Sequence, residues 1–335
     1  MKTLFIGNFL SAHRGTKGIS ENVMGWLLEE DGLVVRGVSG KKHPLTRALD
    51  IVFTAMVFRP NKVLVDTYSN FAFNITVIAT LLKTILNFRL IAVVHGGKFV
   101  EFYKSKPVFV QKVLRRVDTL KTPSLFIQKF LESEGFQIEY FPNPVKLNNF
   151  PFASNLTENK KLLWVRGFKD IYQPLMAIKV LELVLKSYPN ASLTMIGPDG
   201  GLLKEIKNYI EKNGLDDKVY LAGPINNDQL YAYMHNHHIF LNTTLYESFG
   251  MAVLEAAASG IIVVSTCVGE LPLIWVKDDE VCLLSENTPE SMAKEVIKLI
   301  DNPAKSVNMR QKARLKAEQY DWELLRKIWV DLLKN

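Results

Sequence analysis

Ile239-Phe240-Leu241-Asn242-Thr243-Thr244-Leu245-Tyr246-Glu247-Ser248-Phe249-Gly250-Met251-Ala252-Val253-Leu254-Glu255-Ala256-Ala257-Ala258-Ser259-Gly260-Ile261-Ile262-Val263-Val264 reads as strand, loop, helix and strand. The apolar run 239–241 enters a polar loop. Residues 252–259 are good helix formers, and Gly260 stands where helices commonly stop. Ile261-Ile262-Val263-Val264 has the composition of a parallel strand buried on both faces. This is one βαβ unit with a glycine at the loop-to-helix junction. The backbone N–H groups over 249–251 then lie at a helix start, where hydrogen bonding and the helix dipole both favour an anion. Glu255 sits about 7 Å further along the axis, and its side chain leans back towards the helix start. A phosphate at the helix start and a sugar hydroxyl at Glu255 are thus compatible, with Glu247 in the loop free to meet a second hydroxyl-bearing group.

Two glutamates eight residues apart are weak evidence alone. With Ser248-Phe249-Gly250 between them, a small-residue helix, the 260–265 strand and Val268-Gly269 after it, the stretch resembles the Glu-x7-Glu signature of retaining glycosyltransferases of the GT-B fold, specifically glycosyltransferase family 4. The resemblance implies that Glu247 contacts the donor sugar and Glu255 the ribose of the nucleotide, with Ser248, Phe249, Gly250 and Met251 at the donor phosphates. The competing reading is an ordinary helix with solvated glutamates.

The 335 residues are 48% hydrophobic and 22% charged, enough for two soluble domains. The first 25 residues run straight into a strand and a glycine turn, without the pattern of a signal peptide. The most apolar stretch, 75–94, is interrupted by Lys83, Asn87 and Arg89, which favours a buried helix and strand over a membrane span. Cys267 and Cys282 have neither metal nor redox spacing, in keeping with reduced thiols and a cytoplasmic location. Charge is uneven: residues 1–150 hold 20 Lys+Arg against 11 Asp+Glu, leaving 21 against 23 for the remainder. An anionic partner for the first half follows, with Lys41, Lys42, Lys104, Lys106, Lys112, Arg115 and Arg116 as the candidate patch. No nucleic-acid recognition motif is present, so an anionic membrane surface, the inner face of the plasma membrane, or a phosphorylated lipid acceptor fits better. A merely solvated basic face is the alternative.

Apolar runs alternate with helical patterns through the first half. Strands are expected over 3–6, 33–38, 62–65, 90–94, 119–121 and 138–141, and helices over 20–30, 45–57, 71–86, 107–116 and 124–133. That alternation predicts a parallel sheet covered on both faces. Ser20 and Ser124 read as helix starts. Ligands of open α/β sheets sit at the carboxyl ends of strands, which singles out three loops. Arg14-Gly15-Thr16-Lys17-Gly18 is glycine-rich without dinucleotide spacing; by resemblance Gly15 and Gly18 approach the donor phosphates, the alternative being a plain turn. His95-Gly96-Gly97 follows an apolar strand, and two glycines allow close backbone approach. The resemblance places His95 near the donor sugar. Thr122-Pro123-Ser124 and Phe141-Pro142-Asn143-Pro144-Val145 resemble the family's turn and the stiff crossover ending its first domain, with a linker over 148–160.

In the second half Leu162-Leu163-Trp164-Val165 runs into Arg166-Gly167. The family carries an arginine there and a lysine five or six residues on, both on the diphosphate. Arg166 matches, and its fork suits bidentate phosphate contact. Ile171 and Tyr172 stand at the lysine positions, and Lys169 is the nearest substitute. Gly197 opens the turn after strand 192–196 and joins the donor-binding set, and Pro224 and Ile225 follow the 219–223 strand where the family cups the base. His235, His237 and His238 cluster, but no acidic or cysteine partner adjoins them, so no metal site is expected. Glu270 and Leu273 replace a family glycine and glutamate, and a carboxylate at Glu270 would alter sugar choice if that loop lies near the donor. Amphipathic helices are expected over 289–300, 304–319 and 321–333, the last packing through Trp322, Leu325, Ile328, Trp329 and Leu332.

The resemblance implies an α/β protein of GT-B fold, with two facing Rossmann-like domains, parallel sheets and an inter-domain cleft. The domains would be 1–150 on the acceptor side and 151–320 on the nucleotide-sugar side, with a helix over 321–335 packing back across the interface. It implies a retaining, metal-independent hexosyltransferase with His95, Arg166 and Glu247 as catalytic residues. The donor would be a nucleotide-diphosphate-sugar bound as substrate, with no cofactor, and the acceptor a saccharide or lipid-linked hydroxyl. Bacterial surface polysaccharide, lipopolysaccharide or glycolipid synthesis is the implied setting. A non-catalytic nucleotide-sugar-binding scaffold and a nucleotide-sugar epimerase of the same fold are the competing readings. A sugar phosphorylase finds no cofactor-lysine signal.

Overall fold

A computed structural model describes residues 1–14, 17–30, 32–152 and 160–334. Most of the expected linker, 153–159, lies outside the described residues. The chain divides into two compact units, Met1–Pro144 with Glu323–Asn335, and Val145–Trp322.

The first unit is built on β1 (Lys2–Ile6), β2 (Val34–Val38), β3 (Lys62–Thr67), β4 (Arg89–Val94), β5 (Thr119–Thr122) and β6 (Ile138–Tyr140). They form one sheet in the order β2-β1-β3-β4-β5-β6, all parallel. Every residue of β3 is buried, because helices cover both faces of a parallel sheet. Leu4, Ile6, Val63, Val65, Ala92 and Val94 make the centre of its core.

Three helical expectations change here. The helix placed over 20–30 spans Ile19–Leu27 and is capped by Gly18, whose N–H donates to the Glu21 carboxylate at 2.9 Å. Ser20 does not cap it; its hydroxyl turns inward and donates to the buried Asp66 side chain. The stretch expected as one helix over 71–86 is a 3-10 turn, Asn70–Phe73, followed by the helix Asn74–Leu86. A further helix, Phe99–Ser105, precedes Pro107; seven residues are too few to be stable alone, and burial of Phe99, Val100, Phe102 and Tyr103 holds them.

The second unit is built on β7 (Lys161–Val165), β8 (Ser192–Ile196), β9 (Val219–Gly223), β10 (Ile239–Asn242), β11 (Ile262–Ser265) and β12 (Cys282–Leu283). Its order is β12-β11-β10-β7-β8-β9, again parallel throughout. The chain reverses its direction across the sheet between β1 and β3 in the first unit and between β7 and β10 in the second. Open α/β sheets leave a ligand crevice beyond the carboxyl ends of strands at such a reversal.

The helix Pro303–Glu318 buries Ser306, Met309, Arg310, Ala313 and Ala317, three small residues, one methionine and one arginine rather than a continuous apolar face. Arg310 donates to the Gly260 carbonyl and Arg314 to those of Ala258 and Phe150. Two cations thus meet the C-terminal end of the helix Met251–Ser259, where its dipole is negative. The last helix, Trp322–Lys334, buries Trp322, Trp329 and Leu333, while Ile328 is exposed, contrary to expectation. Trp329 packs edge-on against Phe141, and Lys62 donates to the Leu332 carbonyl at 3.1 Å. Among the described residues no helix is long and apolar enough to cross a membrane.

Candidate active site

The site of the second unit grows from its reversal point. β7 is followed by Arg166 and β10 ends in Asn242, so the loops that follow start side by side. Asn242 is fully buried and donates to Ser265 Oγ at 2.9 Å, which turns its amide oxygen towards the Arg166 guanidinium at 3.5 Å. Arg166 forms an ion pair with Glu247, both half-buried. Tyr172 lies under the guanidinium, 5.5 Å from ring centroid to the charge. Tyr172, one of the two residues standing where a lysine was expected, is therefore an aromatic platform for the arginine. The carbonyl of its neighbour Ile171 accepts from Leu245 N at 2.8 Å and Thr244 Oγ1 at 3.2 Å, tying this turn to the Glu247 loop. Arg166 Nε is buried with no hydrogen-bond partner among the described residues, and a buried donor of this kind calls for an acceptor.

Glycines bring the backbone together around this pair. A side-chain carbon at Gly197 would stand 1.8 Å from the Arg166 carbonyl oxygen, and one at Gly269 2.0 Å from that of Glu247. Gly250 caps the helix Met251–Ser259 at φ 90°, a left-handed conformation suited to glycine. No side chain caps that helix start, so its first N–H groups remain unsatisfied donors. Phe249 turns into the core against Tyr320, ring centroids 5.6 Å apart, so its side chain is withdrawn from the helix start. Ser248 and Met251 are half-buried beside it.

Glu255 lies one turn into the helix and is half-buried. Desolvation raises its carboxyl pKa to about 7, against the opposing pull of the Arg166 charge. Glu247, paired with Arg166, and Glu255, desolvated inside the helix, are thus carboxylates in unlike settings on one arginine. The Gly269-Glu270 loop packs behind Glu247, with Glu270 N donating to the Glu247 carbonyl at 3.0 Å and the Glu270 side chain buried; Leu273 is exposed. Lys169 is exposed, its stem lying along Gly200, and it makes no ion pair or side-chain hydrogen bond among the described residues. Pro224 and Ile225 follow β9, joined to this region by Gly197 N donating to Gly223 O at 2.9 Å.

The histidine cluster does not act together. His237 bonds Tyr233 O and Thr194 Oγ1, His235 meets Tyr231, and no group of three His, Cys, Asp or Glu is placed to hold a metal among the described residues.

In the first unit the reversal point holds different chemistry. His95 follows β4, is buried, and points Nε2 at Asp66 Oδ1, 3.4 Å away. Its ring stacks on Tyr68 at 5.3 Å. Asp66, the last residue but one of β3, also accepts from Ser20 Oγ at 2.7 Å. The order is serine, aspartate, histidine, with the carboxylate central; Ser20 is not bonded to the imidazole and no nucleophile is activated. Gly18 caps the adjoining helix, and Gly15 lies outside the described residues. Sequence reasoning missed Asp66, Ser20, Asn242 and Tyr172. Asp66 and Asn242 shared one signal, a polar residue at the end of a strongly apolar strand, where burial demands a partner.

Residues 148–316 match the family model described as glycosyl transferases group 1. The chain belongs to that family. Over 153 positions, 44% of its length, it is 31% identical to a phosphatidylinositol N-acetylglucosaminyltransferase component from Arabidopsis thaliana. That match spans 32% of the plant protein. Sucrose-phosphate synthase from Thermosynechococcus elongatus superimposes with a TM-score of 0.83 over 100% of this chain and 98% of its own, at 15% identity. The Anabaena protein HepE, solved with UDP and glucose, gives 0.76 over 100% of both chains at 14% identity. The fold is therefore GT-B.

Proposed function

We propose that this protein is a retaining, metal-independent glycosyltransferase of the family 4 type, moving a sugar from a nucleotide-diphosphate-sugar to an acceptor hydroxyl. The observation that carries this reading is the Arg166–Glu247 pair at the β7/β10 reversal, beside an uncapped helix start and Glu255. Breaking the glycosidic bond loads charge onto the leaving diphosphate, and donors already aimed at that charge lower the barrier. The first N–H groups of helix Met251–Ser259 and Arg166 are such donors, and Lys169 is a surplus cation within the same loop. The acceptor oxygen bonds to the anomeric carbon as the carbon–phosphate-oxygen bond breaks, and the acceptor proton passes to the departing phosphate on the same face. Glu247 holds sugar hydroxyls, Glu255 the ribose, and Pro224 and Ile225 the base; His95, oriented by Asp66, is the residue of the first unit proposed to act on sugar.

HepE carries UDP and glucose, and the plant relative's name specifies a phosphatidylinositol acceptor. With the basic first half, these favour a lipid-linked or saccharide acceptor, surface polysaccharide or glycolipid synthesis, and work at an anionic membrane from the cytoplasmic side. Thermal shifts with uridine, guanosine and adenosine diphosphate sugars identify the donor, and transfer is then followed with and without chelator. Activity lost in chelator and restored by magnesium or manganese refutes the metal-independent step. A scaffold is the second reading, favoured by Tyr172 at the lysine position; it predicts donor binding with no consumption of donor under any acceptor.

A further inference from the structure

The helix Pro44–Phe58 is amphipathic in an unusual sense: its solvent face is the apolar one. Leu45, Leu49, Val52, Phe53, Met56 and Val57 recur at helical spacing and are all exposed, Leu45, Leu49 and Phe53 at 69–70%. The inner face is narrow, with Ile51, Thr54 and Ala55 buried. Its two charged residues are both tied to protein groups. Arg47 donates to Asn8 Oδ1 at 2.9 Å and to the Gly7 carbonyl, and Asp50 accepts from Ser39 Oγ. An outer face free of charge therefore runs the length of the helix, about 22 Å. Beside it packs Asn74–Leu86, which adds exposed Leu81 and Ile85. An exposed apolar face of this length marks an interaction site.

The flanks specify the partner. Lys41 and Lys42 stand exposed immediately before the helix and Arg59 immediately after it, and none makes an ion pair among the described residues. A second copy packed on this face in either orientation would bring cation against cation at the ends, which is repulsive. Cations at both ends of an uncharged apolar stripe match a bilayer of anionic lipid, with headgroup phosphates meeting the cations and acyl chains the stripe.

We propose that the Pro44–Phe58 face, with Leu81 and Ile85 beside it, is a membrane-docking surface that lies in the plane of an anionic bilayer. It rests on the membrane reading above and deepens it by naming the surface, with Lys41, Lys42 and Arg59 in place of Lys104, Lys106, Lys112, Arg115 and Arg116 as the principal cationic contact.

The test is co-sedimentation of the full chain with phosphatidylcholine vesicles, with and without phosphatidylglycerol. Binding should require phosphatidylglycerol and weaken with salt, since attraction between exposed charges decays over a Debye length of about 10 Å at 0.1 M. Leu49→Asp/Phe53→Asp should abolish it. Leu49→Ser/Phe53→Ser, which removes apolar surface without adding charge, should lower the partition coefficient roughly tenfold or more. Both pairs lie on the surface, so thermal unfolding and the shift produced by the nucleotide-sugar should match the parent. Loss of binding in Lys104→Glu/Lys106→Glu with none in the Leu49/Phe53 pairs overturns the assignment while leaving membrane association intact. Concentration-dependent dimerisation abolished by the same pairs, without vesicle binding, also overturns it. A parent that binds nucleotide-sugar but no vesicle refutes this proposal alone, and one that binds vesicles but no nucleotide-sugar refutes the donor reading alone.

Discussion

At the reversal point of the second sheet an arginine, two glutamates and an uncapped helix start converge; at that of the first sheet stand a histidine, an aspartate and a serine. Both sets occupy the same topological position, beyond strands that part in opposite directions. The difference is electrostatic. The second site offers a guanidinium paired with one carboxylate, together with N–H donors at a helix start, which suit a diphosphate; the first offers an imidazole held by a carboxylate, which suits an uncharged sugar or a hydroxyl. One parallel-sheet scaffold thus presents anion binding or hydroxyl handling according to the residues that end its strands.

The strongest challenge to that contrast is Glu247→Gln, which keeps the shape of the side chain and removes its charge. Transfer should fall by on the order of 3 kcal/mol in the barrier while nucleoside diphosphate affinity stays nearly intact. Steady-state rates beside calorimetry separate the two, and an equal loss in both would erase the division between sugar and nucleotide.

Arg166 comes next. Arg166→Ala should lower turnover by about 2 kcal/mol, the scale of one hydrogen bond to a charged group, and Arg166→Lys should lose less because it keeps charge without the fork. Equal rates for Lys and Ala would take the leaving group away from this residue.

Glu255→Ala should weaken nucleoside diphosphate binding itself, by roughly 1.5–3 kcal/mol, read by calorimetry. The same group makes a pH prediction. Its pKa is raised in the folded chain from 4.5 to about 7, so the unfolded chain ionises it first. Stability is therefore lost as pH rises from 4.5 to about 7 and stays lost above. Glu255→Gln, which never ionises, should melt above the parent at about pH 8, and the gap should close towards about pH 5. A gap that widens on acidification would contradict the desolvated setting.

The smallest effect belongs to the first unit. Asp66→Asn should reduce transfer by about 1 kcal/mol by loosening His95, the size of one ordinary hydrogen bond, with nucleoside diphosphate affinity unchanged. An altered affinity there would blur the contrast between the two sites.

Much of this was legible in the residues. Short apolar runs located all six strands of the first sheet within a residue or two; the signal is clearest in β3 and β4, which lie inside the sheet and bury nearly every residue. Gly250 and Gly260 announced both ends of the Glu255 helix, since left-handed backbone at φ 90° and 71° suits no other residue so well. What stayed hidden was pairing. Asp66 and Asn242 each stand at the end of an apolar strand, yet their partners lie 46 and 23 residues distant, and no periodicity encodes such a meeting.

The helix Pro44–Phe58 shows where the two kinds of information part. Its sequence determined a helix and an apolar stripe, for these follow from spacing along one chain. Which side of the helix meets the sheet was decided by the tertiary structure: Arg47 and Asp50 found partners on Gly7, Asn8 and Ser39, and the apolar stripe was left outside. Likewise the sequence alone determined that Arg166, Glu247 and Glu255 are present at the ends of a strand, a loop and a helix turn. That one arginine faces both carboxylates, so that one is neutralised by pairing and the other holds its proton to about pH 7, came from the strand order β10-β7. Strand order depends on which surfaces bury each other, and burial is a property of the folded whole.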